Sequence, residues 1–334
     1  MGLEGTVLVT GAAGFIGQHL VMRLTADGVR VRAAVRRTTP VLVRGVEYVH
    51  ADLTRLEDCQ RAVAGVHAIV HCAASSSGAA VIVANPLVHV TPNTVMNAQL
   101  LDAAYQAGVE RFVFLSSSVV YPEAGTRPMR EEEALVDHPY AAYHGVGWMK
   151  RYTEVLCEWY ARRLPGRKMP CLVVRPSNVY GPGDKFDFGT CHVTGALIRK
   201  VVERQQPIEV WGTGEDVRDL IYVDDFIEGL LAACTRRSDY LEVNLGAGCG
   251  VSVREILRTI LAVDGYADAQ VVLDPSKPRT IPARVLDIER ARAELGFRPR
   301  TTLQEGLRRT LAWYRASLTA SSARSPAPPL TIGA

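Results

Sequence analysis

The first residues able to do chemistry lie between Val7 and Gly17. A β-branched run, Val7-Leu8-Val9-Thr10, gives way to glycines spaced Gly-x-x-Gly-x-x-Gly at Gly11, Gly14 and Gly17. Apolar periodicity then predicts a helix to about Asp27, followed by a second strand at Val29–Val35. Gly11 lets the chain turn off the strand, and Gly14 removes the side chain that would hold a pyrophosphate away from the backbone. Gly17 lets helix and strand pack closely. The helix N-terminus offers unpaired N–H groups to phosphate. Together these signals predict a dinucleotide site with contact positions Gly11, Gly14, Phe15, Ile16 and Gly17.

The end of the second strand bears on which dinucleotide binds. An acidic residue there would hydrogen-bond a ribose 2′-OH and favour NAD. This chain has Arg36-Arg37 instead. Two guanidinium groups suit a 2′-phosphate, so NADP is expected, with NAD left open. The same pair also suits a solvated strand end.

The elements that must carry these residues alternate between strand and helix patterns. Strands are expected at Val46–His50, Ala68–His71, Arg111–Leu115 and Cys171–Arg175. Helices are expected near Leu56–Ala64, Asn93–Ala107 and Tyr143–Arg163. That alternation calls for an α/β fold with a doubly wound parallel sheet. Beyond Gly181-Pro182-Gly183 the pattern loosens. Residues 1–180, with a return segment at about 220–247, read as the dinucleotide domain, and 181–316 as a smaller C-terminal substrate-binding lobe. The Ser-, Ala- and Pro-rich stretch 317–334 reads as a disordered tail.

Composition narrows the class. The chain has 334 residues, 48% of them hydrophobic, enough for a large core. A net charge of +3, with no basic cluster interleaved with aromatics, argues against a nucleic-acid partner. The seven cysteines form no close pair in sequence, so neither a zinc site nor a disulfide framework is expected, and the compartment reads as a reducing cytoplasm. No run approaches the ~18 apolar residues of a membrane span, and the first strand begins too early for a signal peptide.

The tight glycine spacing resembles the extended short-chain dehydrogenases/reductases, and therefore a Rossmann-type fold. Later blocks sharpen the resemblance to the nucleotide-sugar members, in particular the GDP-L-fucose synthases. The matching blocks are Phe114-Leu115-Ser116-Ser117-Ser118-Val119-Val120-Tyr121-Pro122, and Arg175-Pro176-Ser177-Asn178-Val179-Tyr180-Gly181-Pro182-Gly183-Asp184. They continue with Cys191-His192-Val193-Thr194-Gly195-Ala196-Leu197, Val210-Trp211-Gly212-Thr213-Gly214 and Arg218-Asp219-Leu220-Ile221-Tyr222-Val223-Asp224-Asp225. Asp274-Pro275-Ser276-Lys277-Pro278 and Leu286-Asp287 complete the set, in order from residue 6 to about 315.

The resemblance implies an NAD(P)-dependent enzyme, an epimerase or reductase acting on a keto or deoxy sugar carried by a nucleotide, GDP by likeness. It implies that Asp52 and Leu53 lie beside the adenine and that Ala73 and Ala74 line the coenzyme. His71 reads as a structural histidine. In the substrate lobe it implies cationic contacts from Arg218 and Lys277 and a flat cover from Trp211. Asn178 and Val193 complete the substrate pocket. A homodimer is implied too, formed by the helices at 93–107 and 143–163, whose apolar positions include Val95, Leu100, Leu101, Ala104, Val155, Leu156 and Trp159.

Catalysis in this superfamily couples hydride transfer to a proton relay of Ser, Tyr and Lys, the last two spaced Tyr-x-x-x-Lys. The lysine, four residues on, shares a helix face with the tyrosine, lowers the phenol's pKa and holds the coenzyme ribose. Ser117 matches the serine, with Ser118 its neighbour, and Lys150 matches the lysine. Four residues before Lys150 stands Val146, which has no proton to give. Tyr143 lies a turn further back. Tyr140 follows a proline, as the family tyrosine often does, but that register would put His144 at the lysine position. The fucose synthases pair a cysteine with a histidine for epimerisation. Here His192 matches the histidine and Val119 takes the cysteine position.

Three readings follow: a nucleotide-sugar epimerase or reductase with a relocated proton donor (Tyr143, His144, Ser117 or a water held by Lys150), a same-fold enzyme doing non-redox epimerisation or dehydration through His192, or a catalytically weak binder of coenzyme and sugar.

Overall fold

The computed structural model describes residues 5–38, 40–76, 81, 85, 87–277 and 280–322. Seven parallel strands form the central sheet: β1 (Thr6–Thr10), β2 (Arg30–Val35), β3 (Glu47–His50), β4 (Ala68–His71), β5 (Arg111–Leu115), β6 (Cys171–Pro176) and β11 (Tyr240–Leu245). Their order is β11-β6-β5-β4-β1-β2-β3, so the chain reverses direction across the sheet between β1 and β4. A crevice opens at such a reversal, outside the carboxyl ends of the strands.

Strand periodicity explains the layers. On β1, Val7 and Val9 enter one core while Leu8 enters the other. On β5, Val113 and Leu115 join the first, and Phe112 and Phe114 the second. A strand buried on both faces has no polar side to show, hence the unbroken apolar runs in the sequence. The first core is closed by α1 (Phe15–Ala26) and α6 (Val223–Thr235). The second is closed by α2 (Leu56–Val63), α3 (Val90–Gln106) and α4 (His144–Glu158). A π-helical turn, Trp159–Arg163, ends α4.

The remaining elements are small. Parallel β7 (Asn178–Tyr180) and β10 (Leu220–Tyr222) pair, as do β8 (Ile208–Trp211) and β13 (Val271–Asp274). β9 (Val217–Arg218) sits between antiparallel β12 (Val251–Ser252) and parallel β14 (Ala283–Arg284). Around them pack α5 (Val193–Val202), α7 (Val253–Asp264), α8 (Glu289–Leu295) and α9 (Leu303–Ser322). The first core continues without a break into α5, α7 and α9 through Leu197, Ile256, Leu311 and Tyr314.

Two expectations need correction. Residues 317–322 are not tail but the last turns of α9, where the Ser317 hydroxyl donates to the Tyr314 carbonyl at 2.7 Å. Residues 323–334, and Pro278 of the Asp274–Pro278 block, lie outside the described residues. Leu100, Leu101 and Ala104 are fully buried against α2 and the sheet, so they serve the core of one chain and not a surface between two. Among the described residues, no helix is long and apolar enough to cross a membrane, and no cluster of three His, Cys, Asp or Glu side chains has a metal-binding arrangement.

Candidate active site

The glycine loop joins β1 to α1 at the crevice. Gly11 has φ +64°, and a Cβ added there would stand 2.7 Å from the Ala73 Cα. Loop and β4 extension therefore touch backbone to backbone. A Cβ on Gly17 would meet the Gly11 carbonyl oxygen at 2.2 Å, so α1 can approach the strand only without one. Gly14 is the N-cap of α1 and supplies no capping side chain, which leaves the N–H groups of the first turn to a ligand. A cradle of this shape and polarity fits a pyrophosphate.

At the ends of β2 and β3, the Arg36 guanidinium is 3.7 Å from the Asp52 carboxylate. The Thr54 hydroxyl and N–H both donate to that carboxylate, at 2.8 and 3.1 Å, and hold its pKa below the usual range, with Arg36 assisting. Arg36 thus faces an ionised partner, and both Arg36 and Arg37 are exposed. Leu53 is buried beside Cys59, and Ala73 and Ala74 follow β4 into the crevice.

Ala73, His71 and Thr10 belong to one buried polar chain. The Ala73 N–H donates to Thr10 Oγ1 at 3.1 Å, and Thr10 Oγ1 meets His71 Nδ1 at 2.7 Å. His71 Nε2 meets Asn97 Oδ1 at 2.9 Å, and Asn97 Nδ2 donates to Thr153 Oγ1 at 3.0 Å. Since an amide oxygen only accepts, Nε2 carries the ring proton and Nδ1 accepts from Thr10. Burial pushes the His71 pKa down to about 4, with the nearby Lys150 charge acting in the same direction. This histidine is structural.

The chain leads to α4 and Lys150. The ammonium is buried, donates to the Leu115 carbonyl at 2.8 Å and lies 4.5 Å from the centre of the Phe114 ring. Desolvation lowers its pKa to about 8, against the opposing pull of Glu154. Ser117 and Ser118 follow the end of β5 after one intervening residue, Ser116. The Ser117 hydroxyl accepts the Val119 N–H at 3.3 Å and caps a 3₁₀ turn over Ser118–Val120. Gly147 lets α4 press on this segment, because a Cβ there would lie 2.7 Å from the Val119 carbonyl oxygen.

Tyr143 is the N-cap of α4, just outside the helix, and its ring is 6.4 Å from that of Tyr140. His144 is exposed and packs on the rings of His138 and Trp148, so it does not occupy a lysine-like position at the end of β5. His192 is the N-cap of α5. Solvent reaches its ring, yet desolvation, with Lys185 assisting, lowers its pKa and favours the neutral imidazole. Asp184 lies in the same loop, its carboxyl pushed up to about 6 by burial.

The lobe residues fall into two groups. Trp211 and Lys277 come together through Glu209: the indole N–H donates to Glu209 at 2.8 Å, and the Lys277 ammonium is 3.8 Å from it. The Trp211 ring is 43% exposed. Arg218 lies 3.6 Å from Asp216 and is the register partner of Arg284 across β9 and β14. Asn178 donates through its side chain to the Asp219 carbonyl at 3.1 Å, and Val193 is the first residue of α5. The buried Asp219 carboxylate accepts the N–H groups of Ala247, Gly248 and Leu286, and so joins three segments of the lobe.

Arg284 was missed by sequence reasoning. It is buried, donates to the carbonyls of Tyr121 and Pro122, and has Tyr143 and Arg218 among its electrostatic neighbours. The available signal was one cation inside the apolar run Ile281-Pro282-Ala283-Arg284-Val285-Leu286. Thr10, Asn97 and Thr153 were also missed, since single polar residues within apolar elements carry no spacing signal.

Comparison with known proteins agrees with this architecture. The family model for the NAD dependent epimerase/dehydratase family matches residues 7–246. The chain is 30% identical over 312 residues to a GDP-L-fucose synthase of Sinorhizobium fredii, covering 90% of this chain and 92% of the relative. It is 32% identical over 320 residues to a dTDP-4-dehydro-6-deoxy-D-allose reductase of a Streptomyces species, covering 93% and 96%. The crystal structure of a Thermotoga maritima UDP-glucose 4-epimerase with UDP-glucose superposes with a TM-score of 0.84 at 28% identity, over 94% of this chain and 99% of the other.

The buried polar chain gives a direct expectation. His71 stays neutral throughout the range from about pH 5 to pH 8, where a free imidazole would titrate, so its ring proton resonances should not move with pH. Thr10→Val removes the donor to Nδ1 and should lower stability by about 1–3 kcal/mol in urea unfolding.

Proposed function

The chain belongs to the NAD dependent epimerase/dehydratase family and is an enzyme of that kind; we propose that it reduces or epimerises a keto or deoxy sugar carried on a nucleotide diphosphate, GDP in the first instance. The observation that carries this reading is the Lys150 ammonium, buried at the end of β5 next to the Ser117 turn. It lies on the helix that the buried polar chain ties to the glycine loop.

The proposed coenzyme is NADP, which when bound supplies hydride exchange at the sugar carbon. Gly11, Gly14 and Gly17, with Phe15 and Ile16, would hold its pyrophosphate, while Ala73 and Ala74 would line it. Asp52 and Leu53 would flank the adenosine. Arg36 and Arg37 would meet the 2′-phosphate, with Asp52 fixing the direction of Arg36. On the substrate side, Arg218 and Arg284, adjacent across β9 and β14, offer two cations to a diphosphate. Trp211 and Lys277 would receive the sugar nucleotide's far end, with Asn178 and Val193 lining the pocket.

The proton relay is rebuilt around the gap at Val146. Tyr143 is the proposed proton donor and acceptor, with Arg284 among its charged neighbours. Ser117 would hydrogen-bond the reacting oxygen, Ser118 would support that turn, and Lys150 would hold the coenzyme ribose and a positive field. The near-neutral imidazole of His192 favours a second role as base in an epimerisation step, since a neutral ring can accept a proton at physiological pH.

A homodimer is the proposed assembly. Trp148, Tyr152, Val155 and Trp159 form an exposed stripe along α4 and its π turn, at the three- and four-residue spacing of one helix face.

Turnover should be measured on GDP-, dTDP- and UDP-linked 4-keto sugars. Tyr143→Phe should lower kcat by about 10²–10⁴-fold, and Ser117→Ala should fall in the same range. Unchanged turnover in Tyr143→Phe would remove it from the relay. The Lys150 cation is present below its pKa of about 8 and lost above it, so kcat/KM should decline as pH rises through that value. By calorimetry NADP should bind more tightly than NAD, and Arg36→Ala should shrink the difference by roughly 1.5–3 kcal/mol; absence of heat from either coenzyme would end the reading. Trp159→Asp should convert dimers to monomers in light scattering, and a wild-type monomer would refute the proposed assembly.

A further inference from the structure

Below Lys150, on the same face of α4, lies the carboxylate of Glu154, in the seam between α4, β5 and β6. It is almost completely buried. The Ser116 hydroxyl donates to it, and Arg175 grips it with Nε at 3.0 Å and Nη2 at 2.8 Å. Arg175 is itself fully buried and also donates to the Tyr121 hydroxyl, the Glu131 carbonyl and the Glu242 carboxylate. Arg151, next to Lys150 in sequence and just as buried, donates to the Val120 carbonyl and has Glu154 as its main favourable charge. Arg175 therefore holds this carboxylate directly, and Lys150 and Arg151, anchored on the Leu115 and Val120 carbonyls, are two further buried cations within reach of its charge.

We propose that Glu154 is the positioning residue of the catalytic corner, tying Ser116 and Arg175 to the helix face that carries Lys150 so that the lysine head, held on the neighbouring Leu115 carbonyl, stays a fixed cation at the end of β5. The inference rests on the reading of Lys150 as the active-site lysine. Ser116 directly precedes Ser117, so the tether also fixes where the serine turn leaves the strand. Charge is the second half of the argument. The other groups facing Lys150 are the His71 imidazole, buried and neutral, and the thiols of Cys72 and Cys157, which burial keeps protonated. None of these carries a negative charge near neutral pH. Glu154 is the carboxylate that opposes the desolvation of the ammonium. Its removal leaves the buried ammonium without an opposing carboxylate, and a desolvated lysine that loses its counter-charge releases its proton more readily.

A mere folding pair with Arg175 would not move the titration of Lys150, and that difference is measurable. The chain contains five lysines, so ¹³Cε-lysine labelling of the intact protein gives a simple spectrum, with Lys150→Arg assigning the resonance. In Glu154→Gln the Lys150 pKa should fall by roughly one unit or more, and the alkaline limb of kcat/KM should move down with it. Glu154→Asp, which retains a carboxylate, should bring both back toward the wild-type values. An unchanged Lys150 titration in folded Glu154→Gln overturns the inference. If that variant does not fold, Glu154→Asp carries the test alone: its shorter side chain draws the carboxylate back, so the Lys150 pKa should fall partway toward a site with no carboxylate, and an unchanged value would overturn the inference. The titration needs no turnover. Should Lys150→Met leave activity intact while the shift in Glu154→Gln persists, the reading of the site fails and the tie between Glu154 and Lys150 stands.

Discussion

Buried polar groups in the sheet have to find partners inside the protein, and in this molecule one such requirement sets the distance between the two halves of the site. Thr10 ends β1, His71 ends β4, Asn97 lies on α3 and Thr153 on α4. Each satisfies the next, from the Ala73 N–H to the Thr153 hydroxyl. An unpaired member would cost about 1–3 kcal/mol, so the chain ties the four elements together. The glycine loop leaves one end of this chain, and Lys150 rides on the helix at the other.

Electrostatics is layered on that frame. On the sheet side, positive charge is buried and tightly held: Lys150 on the Leu115 carbonyl, and Arg175 between Glu154 and Glu242. On the lobe side, Arg218 and Arg284 sit in register, and Arg284 reaches across to the carbonyls of Tyr121 and Pro122. Buried cations fixed by carbonyls and carboxylates keep their direction without the entropy loss of ordering a flexible surface arginine. That arrangement suits an anionic substrate, and it places Tyr143 next to Arg284 in a cationic neighbourhood.

The two valines at positions of expected chemistry shape how such a site can work. Val146 and Val119 donate no proton, yet their surroundings are intact: Gly147 still packs on Val119, Ser117 still caps its turn, and Lys150 still reaches Leu115. The scaffold around the missing groups is retained while the groups themselves differ. Tyr143 stands at the N-cap of α4 itself, seven residues before Lys150, and His192 stands at the start of α5.

Much of this was legible in the chain itself. The glycine spacing, the strand runs and their alternation with helices specify a doubly wound sheet, because a residue's preference for strand or turn is local and the two-sided burial of parallel strands leaves unbroken apolar runs. The glycine loop was named from spacing, and Lys150 and Ser117 from the likeness of their surrounding blocks to the short-chain dehydrogenases/reductases. Tertiary structure decided the rest. Long-range pairing brought Arg284 beside Arg218, although 66 residues separate them in sequence. Packing sent Leu100, Leu101 and Ala104 into the core, and helix contacts kept 317–322 within α9 despite their weak periodicity. Burial gave His71 its partners Thr10 and Asn97 and set Arg175 on Glu154, for burial and charge neighbours belong to the folded arrangement and leave no mark on the order of the residues.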